Sequence, residues 1–317
     1  MVLTRTLDAK AISMQRIGRL GTYASSLGQE AVAVGAASAM LPEDVFLPSF
    51  REQGGQLVRG VSLVEIFLYW GGDERGSNFA GPREDFPICV PVGSHAPHAA
   101  GVAFAFKLRG ERRVAVCVLG DGATSKGDFS EALNFAGVFN LPAVFVINNN
   151  QWAISVPRTA QSAAETLAQK AVAAGVPSEM VDGNDVIAVR AAVAAALERA
   201  RSGHGPFVLE AITYRLGDHT TADDASRYRD DALVSPKWKE EPLLRMRHYL
   251  TSLGIWRKAE EEALITACAA EVERAVEDYL ASPPPPPAAM FDHLYAGLPA
   301  ELIAQRETAL AEAADRG

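Results

Sequence analysis

Residues 113–150 read RVAVCVLGDGATSKGDFSEALNFAGVFNLPAVFVINNN, and this stretch decides the fold. Val114 to Leu119 is a short unbroken apolar run, the signature of a strand buried on both faces. Gly120-Asp121-Gly122 breaks it. Asp128 precedes a segment whose apolar residues Phe129, Leu133, Ala136 and Phe139 fall on one helical face. Leu141-Pro142 stops that helix, and Ala143 to Ile147 is a second buried strand. Strand, helix and strand in this length make a right-handed crossover unit of a parallel sheet.

Residues 8–26 carry a weak helical period at Ile12, Ile17 and Leu20. Gly28-Gln29-Glu30 then opens a helix of small residues, Ala31 to Met40, closed by Leu41-Pro42. An apolar segment at 61–70 leads into a Gly/Asp-rich loop at 71–85. Helices are expected over 162–174 and 185–201, with a strand at Phe207 to Ile212. Residues 217–231 are polar and aperiodic, with Asp218, Asp223, Asp224, Asp230 and Asp231, and read as a mobile surface loop. Helices follow at about 240–251 and 258–280, and Pro283 to Pro287 forms an extended linker. The tail from Ala288 includes Met290, Phe291, Leu294 and Tyr295, which would dock on this chain or on a partner. The expectation is an α/β domain over 1–282, its parallel sheet flanked by helices, then a linker at 283–287 and a docking tail at 288–317. The C-terminal region is helical, and no internal repeat is visible.

With 48% hydrophobic and 22% charged residues, the 317-residue chain can bury a sizeable core without resembling a membrane protein. A net charge of −9, with no run of lysine or arginine, argues against nucleic acid as a partner. Cys89, Cys117 and Cys268 are scattered, odd in number and lack CxxC spacing, which suits buried thiols in a reducing compartment. Met1 to Arg19 is too polar for the apolar centre of a signal peptide. The alanine-rich stretch from Ile187 to Leu197 is too short to span a bilayer. The expected location is the cytoplasm.

Ligands of parallel sheets gather outside the carboxyl ends of the strands. Asp121 follows the first strand of the crossover and Asn148-Asn149-Asn150 the second, with 26 residues between Gly122 and Asn149. A carboxylate, an amide oxygen and a backbone carbonyl suit a magnesium ion whose remaining ligands are phosphate oxygens and water. The glycines would admit a diphosphate to backbone N–H groups near the following helix N-terminus. Alone, a Gly-Asp-Gly or an Asn-rich turn is an ordinary loop; the pair at this spacing is what points to a site. Gly122 to Gly127 has the composition of a Walker loop but not its order, because Lys126 precedes Gly127 and Asp128 follows. His95 and His98, three apart with no third ligand nearby, read as structural or close to the cofactor.

Gly-Asp-Gly, 26 residues and Asn-Asn together resemble the signature of thiamin diphosphate enzymes. Further motifs follow in order: Leu27-Gly28-Gln29-Glu30-Ala31, Phe50-Arg51-Glu52, Gly120-Asp121-Gly122-Ala123 and Asn149-Asn150-Gln151-Trp152-Ala153-Ile154-Ser155. Val181-Asp182-Gly183-Asn184-Asp185 and Tyr214-Arg215-Leu216-Gly217-Asp218-His219-Thr220 complete the set. From about residue 10 to about 296 the chain is similar to the alpha subunit of the 2-oxo acid dehydrogenase first component, a family that includes pyruvate, branched-chain and acetoin enzymes.

That resemblance implies the thiamin diphosphate-binding fold, with magnesium held by Asp121, the Asn150 side chain and the Trp152 carbonyl. Phe50 and Arg51 match a Tyr-Arg pair at the diphosphate, Gly122 and Ala123 add backbone donors, and Val90 and Val92 meet the aminopyrimidine through their backbone. His219 matches a histidine that holds the diphosphate end, orders its loop and assists acyl transfer. Ser94-His95 replaces a pair, often Thr-Gln, that binds potassium in some relatives, and potassium binding near Ser94 stays open. Thr220 stands where mitochondrial relatives have a phosphorylated serine, and here reads as loop support. The implied activity is oxidative decarboxylation of a 2-oxo acid with acyl transfer to the lipoyl groups of a dihydrolipoyl acyltransferase. The implied assembly is an α2β2 heterotetramer, the beta subunit supplying the glutamate that activates the cofactor. Gly71-Gly72-Asp73-Glu74-Arg75-Gly76 and Gly122-Ala123-Thr124-Ser125-Lys126-Gly127 resemble pyruvate members more than branched-chain ones. A branched-chain or acetoin enzyme, or a scaffold that binds no cofactor, remains open at this point.

Overall fold

A computed structural model describes residues 1–316. Five parallel strands form its sheet: β1 (Val45–Leu47), β2 (Ala115–Gly120), β3 (Ala143–Asn149), β4 (Ser178–Asp182) and β5 (Phe207–Ile212), in the spatial order β1-β2-β3-β5-β4. The apolar runs around 116 and 145 thus occupy the middle of the sheet, where both faces are covered. Alternation along each strand sorts the side chains between two cores. Ala115, Cys117, Leu119, Phe145 and Ile147 face α5 (His95–Arg109) and α6 (Gly127–Val138). Val116, Val118, Val144, Val146 and Leu209 face α2 (Glu30–Ala39) and α7 (Val186–Arg201). The β2–β3 crossover runs through α6 on one face. The β4–β5 crossover steps back toward the middle of the sheet, and its helix α7 lies on the other, as right-handed connections require.

Three local expectations are corrected. The first helix is α1 (Val2–Arg16), not 8–26: its buried stripe is Leu7, Ala11 and Met14, Ile17 is exposed, and Gly18 turns the chain at φ +70°. Only Ala168–Ala174 of the 162–174 segment is helical, as a 3-10 turn, since the Arg158 guanidinium takes the carbonyls of Ser162, Ala164 and Glu165. Phe139 caps the end of α6 half-exposed, against Phe104 and Phe135. The strands β1 and β4 carried no sequence signal. The first is three residues long, and the second, Ser-Glu-Met-Val-Asp, is a polar edge strand.

Other helices are α3 (Gln53–Arg59), α4 (Leu63–Trp70), α8 (Pro242–Ser252) and α9 (Lys258–Ala281), with single turns at Arg158–Gln161 and Asp231–Val234. Ser62 and Glu65 form a reciprocal capping box that starts α4. The chain divides into two compact units, Met1–Val276 and the segment from Glu277 onward, so the boundary falls inside α9. The second unit holds the proline stretch, a short turn at Ala289–Asp292 and α10 (Ala300–Arg316). Among the described residues no helix is long and apolar enough to cross a membrane.

Candidate cofactor site at the strand ends

The carboxyl ends of β1, β2 and β3 open on one cavity of about 260 Å³. Asp121 enters it as the first residue of a 3-10 turn leaving β2, and it is buried. Gln161 Nε2 donates to its Oδ2 at 3.0 Å. Among the described residues no lysine, arginine or histidine forms an ion pair with it. Burial raises its pKa, and the Gln161 bond and the field of Arg215 only partly oppose this. A carboxylate so placed is costly without a cation.

The two glycines of the turn have different jobs. A Cβ on Gly122 would lie 2.7 Å from Ala153 Cβ, so its lack of a side chain lets the Asp121 turn lie on the Trp152–Ala153 strand. A Cβ on Gly120 would meet nothing within 4 Å, and both glycines line the cavity where phosphate approach is expected.

Asn150 leaves β3 buried, and the N–H of Trp152 donates to its Oδ1 at 3.1 Å. That bond fixes the amide: Nδ2 must face the other way, where it donates to Gln29 Oε1 at 3.0 Å. Asn149 points elsewhere, its amide held by the buried Glu210 carboxylate at 2.7 Å. The buried Trp152 is followed by a hairpin, and its carbonyl accepts from Arg215 Nη1 at 3.3 Å. Among the described residues no trio of His, Cys, Asp or Glu could hold a metal. A metal here would depend on one carboxylate with amide and carbonyl oxygens, the hard donor set that suits magnesium.

The same cavity also holds a cation. Buried Arg51 donates from Nη1 to the Ser25 carbonyl at 2.7 Å, and from Nη2 to the His219 carbonyl at 2.9 Å and to His219 Nδ1 at 3.1 Å. Burial and the neighbouring Arg215 push its pKa down to about 10. Phe50 meets the His219 ring edge-on at 5.7 Å. Because an arginine can only donate, His219 Nδ1 is an acceptor, and the neutral ring carries its hydrogen on Nε2. Burial, then Arg51 and Arg215, push the His219 pKa down to about 4. Between about 4 and the ordinary 6.5 the unfolded chain binds a proton that the folded one does not, so this histidine's contribution to stability is full above 6.5 and lost as pH falls to about 4. In an NMR titration without cofactor His219 should stay neutral from pH 8 to pH 5; a midpoint near 6.5 would refute this environment.

The cavity brings together Phe50, Arg51, Val92, Asp121, Gly122, Ala123, Asn150, Trp152 and His219. Val90 does not line it and is exposed, like Val92 at the rim. His95 lines it from the start of α5, its Nε2 donating to the Val118 carbonyl at 2.9 Å, while His98 packs on Phe86. The loop after β5 is tied down, not free: Arg229, buried, donates to the carbonyls of Arg215, Leu216 and Gly217. Asp223 accepts from the His219 N–H at 2.8 Å and from the Tyr228 hydroxyl at 2.5 Å.

Four supporting residues had no role in the sequence reading. Glu52 is a buried carboxyl accepting from Ser49 Oγ at 2.5 Å and from the Arg51 N–H at 3.1 Å. Gln161 holds Asp121, Gln29 holds Asn150, and Arg215 braces the carbonyls of Trp152 and Ile154. Gln29, Glu52 and Arg215 sit inside the quoted motifs, which was the only available signal; Gln161 had none.

The dehydrogenase E1 component family model matches residues 1–288. The chain belongs to that family. It is 44% identical over 315 residues to the 3-methyl-2-oxobutanoate dehydrogenase subunit alpha of Mycobacterium tuberculosis, covering 99% of this chain and 86% of the relative. To the pyruvate dehydrogenase E1 component subunit alpha of Acholeplasma laidlawii it is 43% identical over 310 residues, covering 96% and 89%. For the protein of that name from Staphylococcus aureus the figures are 41% over 308 residues, 97% and 83%. The alpha-subunit resemblance of the motifs is therefore borne out, and the chain is an E1-type dehydrogenase component. Membership implies thiamin diphosphate dependence in general, and the alpha-subunit relatives imply a beta-type partner in general.

Proposed function

We propose that this chain is the alpha subunit of a 2-oxo acid dehydrogenase first component and holds the metal–diphosphate half of its thiamin diphosphate site. One observation carries the reading. Asp121 is a buried carboxylate with no ion-pair partner among the described residues, and it opens on the same cavity as Asn150, Trp152 and the buried cation Arg51. A negative and a positive group lining one cavity suit a ligand that is itself a metal ion bound to an anion.

In this reading Asp121 Oδ, Asn150 Oδ1 and the Trp152 carbonyl hold magnesium. Arg51 neutralises the diphosphate, with backbone N–H groups of Gly122 and Ala123 beside it. When bound, the cofactor supplies the electron sink for loss of carbon dioxide from a 2-oxo acid. The chain's own part is to orient and to exclude water: Phe50, Ile154 and Trp152 give the cavity apolar surface. His219, neutral with hydrogen on Nε2, is held by Arg51 and Asp223 as a donor for the diphosphate end and the acyl-transfer step. Val92, which lines the cavity, and Val90, which lies outside it, would meet the aminopyrimidine through their backbone.

The beta subunit of an α2β2 heterotetramer completes the site with a carboxylate, and a lipoyl-bearing acyltransferase takes the acyl group. Residues 1–282 form the cofactor domain, and the tail from Ala288 docks on a partner through Met290, Leu294 and Tyr295, all exposed. Pyruvate is the favoured substrate, on the likeness of residues 71–76 and 122–127 to pyruvate members. A branched 2-oxo acid is the second reading, favoured by the 44% identity to the mycobacterial enzyme. The test is calorimetry of the co-expressed αβ complex with thiamin diphosphate, with and without magnesium, followed by decarboxylation rates for pyruvate and 3-methyl-2-oxobutanoate. Magnesium-dependent binding is expected. An assembled complex that binds no cofactor would sink the proposal in favour of a scaffold.

A further inference from the structure

Within Gly28-Gln29-Glu30, packing accounts for two of the three residues. Gly28 has φ +89°, and a Cβ there would lie 2.5 Å from the Tyr214 carbonyl oxygen. Glu30, fully buried, accepts from the Gly28 N–H at 3.1 Å and pairs with Arg5 at 2.6 Å. Gln29 has no such explanation. Its backbone starts α2, which any residue able to cap could do, yet its side chain is only 1% exposed and lines the Asp121 cavity. Among the described residues its Nε2 has no hydrogen-bond partner. A buried amide left half-satisfied costs about 1–3 kcal/mol, so its presence is not explained by stability.

The hydrogen bonds run in one direction. The Trp152 N–H can only donate, which makes the facing Asn150 atom Oδ1 and turns Nδ2 toward Gln29. Gln29 Oε1 then accepts, locking the Asn150 amide against rotation about its own side chain. Oδ1 has two lone pairs; one takes the Trp152 N–H and the other is free. Without Gln29 only the Trp152 N–H would hold this amide, and a rotated amide would present NH2 to the cavity, a group that cannot ligate a cation.

Resting on the function proposed above, we infer that Gln29 is the positioning residue of the metal site, acting through Asn150 and not by touching the metal. Partners of this kind are typically worth about 10–100-fold in metal affinity. The test is titration of magnesium, and of manganese followed by its EPR signal, into the αβ complex with saturating thiamin diphosphate. Gln29→Met keeps the volume but loses the acceptor, and should weaken metal binding at least about tenfold, within that range. Gln29→Glu retains an acceptor for Asn150 Nδ2 and should bind metal within a few-fold of wild type. The melting temperature of each metal-free complex reports folding separately. If Gln29→Met folds and binds metal like wild type, or if Gln29→Glu is as impaired as Gln29→Met, the inference is overturned. If the wild-type complex itself shows no metal-dependent binding, it is the proposed function that fails.

Discussion

Asp121→Asn should weaken magnesium-dependent cofactor binding severely while leaving the unliganded protein as stable as before or more so. The two halves have one cause. Without ligand the Asp121 carboxylate is buried with no ion-pair partner among the described residues, and burial raises its pKa. The folded state therefore holds a proton that the unfolded state has released, and stability falls as pH rises from the ordinary carboxyl value through the raised one. Asparagine is neutral, can accept from Gln161, and removes that penalty. With ligand the sign reverses, because the charge that burdened the empty protein is what attracts the metal. Removing one member of a buried charge pair costs about 2–5 kcal/mol. At 1.4 kcal/mol per tenfold, that is roughly thirty- to several-thousand-fold in affinity. Calorimetry and thermal melting of the αβ complex check both halves. Retained affinity would remove Asp121 from the metal, and a large fall in the unliganded melting temperature would show its role to be structural.

How much of this was legible depends on what each residue contacts. The crossover from β2 through α6 to β3 was readable because those strands are central, apolar on both faces and broken by Gly and Pro. The edge strand β4 was not, since Met180 and Glu179 are exposed and leave no pattern to detect. Asp121, Asn150, Arg51 and His219 were legible through spacing and motif resemblance, and they do share a cavity. The residues that orient them were not. Gln161 lies 40 positions from Asp121, and Gln29 lies 121 from Asn150. Nothing local marks such pairings; they exist only once the sheet has brought its strand ends together. The loop at 217–231 misled for a related reason. Its polar composition suggests solvent, but Arg229 and Asp223 spend their polarity on the backbone and on Tyr228.

The other large effect should come from Arg51→Met. Arg51 has five N–H donors, and three serve Ser25 and His219, leaving two for an anion. Its lowered pKa reports burial and the repulsion of Arg215, a strain that an arriving diphosphate would relieve. Methionine fills similar space without charge, so affinity for thiamin diphosphate should drop by the same order of about 2–5 kcal/mol expected of a buried charge pair. Binding of thiamin itself, which has no phosphate to lose, should barely change. A second readout does not depend on the cofactor. Arg51 is, after burial, the largest cause holding the His219 pKa near 4, and its Nη2 bond to Nδ1 keeps that nitrogen unprotonated. In the Arg51→Met protein the His219 titration should therefore move up toward 6.5. Arg51→Lys would separate charge from geometry, because a single ammonium restores the field but cannot reach two carbonyls and a ring nitrogen together. It should recover part of the diphosphate affinity and leave the loop less ordered. If the Arg51→Met protein lost affinity for thiamin and thiamin diphosphate equally, Arg51 would be shaping the cavity and not reading the diphosphate.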